Sequence, residues 1–165
     1  VRSTLARVTL LVVCLALVAM WGYALFFASK EAVNKIGDRT WAARAEGICA
    51  AADAELDELE RLASADLDRR AELVDTGTDI LQQMLDDLVA ATPSDEKGRA
   101  LVPMWVADYR TLLQNRRNYA DRLRAGENVP FTEAAVDGVP ITERIETFAG
   151  DNEMPSCAPP RGSII

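Results

Sequence analysis

The chain has 165 residues and a formal net charge of −8, with every Asp and Glu at position 31 or later and no His. An acidic body repels phosphate backbones, which argues against a nucleic-acid partner, and the absence of His removes the commonest general base and the commonest nitrogen ligand for metals. Ala, Leu, Glu, Asp and Arg dominate while β-branched and aromatic residues are sparse, a composition that favours helix and, being rich in Arg over Lys, fits a high-GC bacterial coding sequence.

Between Arg7 and Lys30 lie 22 residues without a charge, VTLLVVCLALVAMWGYALFFAS. As a helix they measure about 33 Å at ~1.5 Å per residue, enough for a hydrocarbon core of about 30 Å. Trp21, Tyr23, Phe26 and Phe27 gather in the second half, and Trp21 and Tyr23 suit a membrane–water boundary. The run exceeds the apolar region of a cleaved secretory signal, about 7–15 residues, and no small-x-small pair follows it. Cys14 follows Val13 rather than the small residue a lipoprotein cysteine requires, so it reads as an apolar residue of the span. The sequence thus predicts a short cytoplasmic tail over 1–7, a transmembrane signal anchor over 8–29 and a juxtamembrane joint over 30–37. Lys and Arg on the two sides do not set the orientation.

The cysteines do. Outside the span stand Cys49 and Cys157, with no C-x-x-C and no His, so neither a metal site nor a thioredoxin-like motif fits. Cys157 lies in the Pro-rich tail MPSCAPPRG. A Cys49–Cys157 disulfide would tether that tail and stabilise the fold by up to about 4.7 kcal/mol in the chain-entropy treatment. Such bonds persist in oxidising compartments. The body is therefore expected on the extracytoplasmic, periplasmic side of a cytoplasmic membrane.

That body, 38–150, reads as helices. Over 38–65, Trp41, Ala45, Ile48, Ala52, Leu56, Leu59 and Ala63 recur in steps of three and four, with Cys49 at the border and Asp53, Asp57, Glu58 and Glu60 outward. Over 66–91, Leu67, Ala71, Val74, Thr78, Leu81, Leu85 and Leu88 form an unbroken seam of alternating fours and threes. A third helix is predicted with Thr92 as N-cap, Pro93 in its first turn and Gly126 as terminator. Its inner face carries Leu101, Trp105, Tyr109, Leu112, Tyr119 and Leu123, and Pro103 should kink it or delay its start. "DGVP" is a turn, and Ile141, Ile145 and Phe148 mark a short fourth helix ended by Gly150. The tail, 151–165, is expected to be extended or loose apart from its cysteine. The predicted fold is all-α: a transmembrane helix, then an antiparallel three-helix bundle with a short fourth helix and a disulfide-latched tail.

Catalytic patterns fare poorly. Asp75-Thr76-Gly77 resembles the active-site loop of aspartic proteases, but that loop lies between β-strands, whereas the seam of the second helix runs through Val74 and Thr78. Asp75 and Asp79 then face water. The acidic runs DAELDELE and Asp86-Asp87 lack the His of di-iron bundles and the spacing of a calcium loop, and read as solvated helix faces. No Gly-x-Ser-x-Gly, Ser-x-x-Lys or phosphate-cradling loop occurs, so no enzyme activity, cofactor or metal is expected. Two features remain. Arg110, Arg117 and Arg124 repeat at seven residues, flanked by Arg116 and Arg122; they either pair with acidic faces of the first two helices or dock an acidic partner. Trp41 and Trp105 either anchor the core or line a ligand pocket. The expected function is a non-catalytic, single-pass accessory or adaptor subunit of a larger bacterial membrane or envelope complex. The alternative is a small-ligand-binding sensor domain acting through a partner.

Overall fold

The computed structural model describes residues 2–26 and 32–160. It comprises two units, Val1–Ala32 and Val33–Ile165. The first is one helix, α1 (Arg2–Phe26), of 25 residues. The apolar side chains of residues 10–25 are exposed on every side of it, Leu10 being 67 % and Val18 69 % exposed. Among the described residues no helix is long and apolar enough to cross a membrane. The rest of the expected span, 27–29, and the start of the expected joint, 30–31, lie outside the described residues, as do 161–165 of the tail.

The second unit is a helical bundle: α2 (Arg39–Glu60), α3 (Leu67–Val89), α4 (Glu96–Arg124) and the short α5 (Ile141–Asp151). Each long helix starts on an aspartate whose carboxylate accepts an amide of the first turn: Asp38 from Trp41, Asp66 from Arg69, Asp95 from Gly98. The predicted cap at Thr92 is therefore corrected to Asp95. The reason is tertiary: Asp95 also accepts the amides of Gly37 and Asp38, while Asp38 accepts the amide and hydroxyl of Ser94. This exchange fixes the start of α2 against the start of α4. Trp41 Nε1 donates to Ala91 O at 2.8 Å, which sets the start of α2 beside the end of α3. Arg70, near the start of α3, donates to Tyr119 Oη near the end of α4 at 2.6 Å. Successive helices are thus antiparallel.

The predicted first helix ends a turn early, at Glu60, because Leu62 and Ala63 fold back onto Leu59 and Glu60 carbonyls; Ala63 is exposed rather than inward. Pro103 does not delay α4, which passes through it with the proline ring on the exposed side. "DGVP" tightens into a two-stranded hairpin, β1 (Ala135–Val136) and β2 (Val139–Pro140), with Ala135 opposite Pro140. Asp137 and Gly138 take φ of 53° and 80°, the left-handed pair that a two-residue hairpin loop demands. The tail is not loose up to residue 160: it makes a 3-10 turn over Pro155–Cys157, with Met154 and Cys157 fully buried. The Cys49–Cys157 disulfide forms, with Cα atoms 5.1 Å apart across 108 residues of sequence. Tyr109 Oη donates to Cys157 O at 2.9 Å, and Glu46 accepts the amide and hydroxyl of Ser156. Trp41, Leu56, Leu85, Trp105, Tyr109, Ile145 and Phe148 belong to one continuous core.

Candidate functional site

The seven-residue arginine stripe on α4 is broken up by α3. Arg117 pairs with Asp79 at 3.1 Å, and Arg124 pairs with Asp75 and Asp121. Both are thereby neutralised by neighbours in the bundle. Arg116 turns fully inward: it is 1 % exposed, its Nε donates to Thr78 Oγ1 at 3.1 Å, and its buried Nη2 has no hydrogen-bond partner. Burial pulls its pKa down to about 10, and a Cβ on Gly77 would meet that Nη2 at 3.0 Å. The glycine of the Asp-Thr-Gly triplet therefore makes room for an arginine where α2, α3 and α4 meet. Asp75 lies mid-helix, bonded to Arg124, which is no setting for a protease dyad.

Arg110 is the member of the stripe that stays exposed and forms no ion pair among the described residues. It stands at an open groove of about 230 Å³ between the end of α3 and the first half of α4. Val89, Val102, Pro103 and Val106 give the groove an apolar lining, and Arg99 is the second cation on it. Arg99 and Arg110 are eleven residues apart, three helical turns, so they share a face. Pro103, inside α4, has no N–H to offer the Arg99 carbonyl four residues back. The groove thus combines apolar contact with two positive side chains on a molecule of net charge −8. Of the three stripe arginines, which were expected either to pair with acidic faces of the bundle or to dock a partner, Arg117 and Arg124 make such pairs and Arg110 stands on this groove with Arg99. Sequence analysis missed Arg99; its eleven-residue spacing from Arg110 is the signal that could have found it.

A second opening, of about 310 Å³, lies between α4, α5 and the hairpin. Trp105 reaches it, in stacked contact with Phe148 at 5.2 Å between ring centroids, while its Nε1 donates to Ile145 O. Trp41 instead closes the core beside α3. On the wall of the opening Arg144 Nε and Nη2 fork onto the two carboxylate oxygens of Asp108 at 3.0 and 3.3 Å. Nothing in local sequence links positions 108 and 144.

Desolvation pushes Asp53 up to about 6, reinforced by the charges of Asp57 and Glu46 along the same face of α2. Among the described residues no group of His, Cys, Asp or Glu could hold a metal ion. Compared with known proteins, the chain matches no family model, no curated protein and no solved structure.

Proposed function

We propose that the chain is a non-catalytic, membrane-anchored adaptor that holds its helical bundle in an extracytoplasmic compartment and docks a protein partner of the same membrane complex. The observation that carries this reading is α1. A helix that is apolar on every side must be covered, by lipid or by other protein. The uncharged sequence run continues past the described end of α1 to Ser29, giving the length a bilayer span requires. The disulfide supports an oxidising compartment for the bundle.

The groove bearing Arg99 and Arg110 is where the partner would sit. Its chemistry fits an extended or helical segment that presents an apolar side chain between carboxylates, since arginine favours such charge-assisted contacts. The test is co-purification from mild detergent with mass spectrometry, run beside an Arg110→Glu variant. A partner held by the native protein and lost from a folded Arg110→Glu protein supports the reading. A native protein recovered alone at every detergent strength, or a partner indifferent to the substitution, contradicts it. The alternative, a ligand-binding sensor domain working through a partner, draws its support from the opening beside Asp108 and Arg144.

A further inference from the structure

We infer that the opening between α4, α5 and the hairpin binds a free α-amino acid with an apolar side chain. This is distinct from partner docking, which uses the opposite face of the same stretch of α4, that of Arg99, Val102, Val106 and Arg110.

The selectivity follows from the ion pair. Asp108 and Arg144 are both partly withdrawn from water, with side chains 16 % and 31 % exposed. A ligand carrying only a negative charge meets Arg144 but is repelled by Asp108, and a simple cation meets the reverse. A zwitterion satisfies both: its carboxylate lies on the guanidinium and its ammonium on the Asp108 carboxylate, so four charges alternate in sign. The fork spends Nε and Nη2 of Arg144 on Asp108. The Nη1 edge of the guanidinium remains for a second carboxylate, as its fixed planar donors allow. Each Asp108 oxygen likewise keeps acceptor capacity for an ammonium.

The rest of the wall decides the side chain. Leu101, Met104, Trp105, Val139 and Phe148 supply its apolar part beside the polar Asn34 and Thr147, and Met104 is 58 % exposed. A methionine on such a wall adapts to varied aliphatic shapes. The volume, about 310 Å³, stands at the lower limit of small-ligand pockets, which suits a single amino acid better than a cofactor. Wall and pair together form an apolar cleft with a few convergent polar groups, the usual constitution of such a site.

The test is isothermal calorimetry on the full chain in lipid nanodiscs with L-leucine and L-methionine. Saturable binding is expected, with leucinamide and N-acetyl-leucine at least about tenfold weaker because each lacks one of the two charges. Met104→Glu lies off the ion pair on an exposed position and should weaken leucine at least about tenfold while leaving the folded spectrum intact. Asp108→Asn and Arg144→Gln should abolish binding; should either fail to fold, the analogue series and Met104→Glu still decide. No saturation by leucine or methionine up to about 10 mM overturns the inference. So does leucinamide binding as tightly as leucine, or binding unchanged in Met104→Glu.

Discussion

At the scale of single residues, the carboxylates divide into two groups with opposite pH behaviour. Asp53 is raised by desolvation and by Asp57 and Glu46 to about 6, against 3.8 unperturbed. Its protonated form is the better one for the fold. The stability it contributes is full below pH 3.8 and is lost as pH rises through 6. Asp53→Asn should therefore stabilise at pH 7, by about 1 kcal/mol once solvent screening of this half-exposed group is allowed for, and leave stability unchanged near pH 3.5. Thermal unfolding at the two pH values checks this. Asp38 behaves oppositely. Bonds from Ser94 and Trp41 hold it down at about 2, so its stabilising effect is present above 3.8 and is lost as pH falls through 2. Asp95 is also lowered: desolvation opposes this, but amides of Gly37, Gly98 and Asp38 together prevail. Asp75, which sequence alone could mistake for a catalytic aspartate, is a partly exposed partner of Arg124. Asp75→Asn should shift the thermal midpoint by no more than about 3 °C, as loss of a surface pair implies.

At the scale of elements, helix existence and inner faces were legible in the sequence, because steps of three and four register burial directly. The seam from Ala71 to Leu88 is buried as read, and so are Ile141, Ile145 and Phe148. What the pattern missed depends on contacts distant in sequence. Asp95 displaced Thr92 as cap because it also serves Gly37 and Asp38. Arg116 read as a surface charge, yet Gly77 gives its guanidinium a place inside. Gly77→Ala tests this: helix propensity favours Ala by roughly 1 kcal/mol, but the added Cβ crowds Arg116 and Leu56, both buried. Overpacking outweighs propensity there, and a net loss of about 1 kcal/mol is expected in chemical denaturation. Asn152 is the other element-scale surprise. Fully buried, it accepts from Ile36 N and donates to Asn34 O and Phe148 O, pinning 34–36 to the end of α5. Asn152→Ala strands those buried groups and should cost on the order of 3 kcal/mol by the same assay.

At the scale of the whole molecule, one covalent link joins the first helix of the bundle to the tail. The Cys49–Cys157 loop spans 108 residues, and the pairing was legible because only two cysteines lie outside the apolar run. The tail's packing was not, since Met154, Cys157 and the bonds from Tyr109 and Glu46 follow no local period. Replacing both cysteines by Ala should lower the thermal midpoint by roughly 10–20 °C, the loss expected for a link closing so long a loop. The candidate sites were legible only in part. Arg110 could be picked out by spacing, whereas the Asp108–Arg144 pair exists only after α5 folds back on α4. In the proposed arrangement an apolar helix holds a disulfide-linked bundle on the outer side of a membrane. Alkaline carbonate extraction of native membranes, followed by protease added to intact spheroplasts, measures both halves of it. The protein is expected to stay with the carbonate-washed membrane and to lose its bundle to external protease. Release into the carbonate supernatant, or a bundle protected until the cells are lysed, would contradict it.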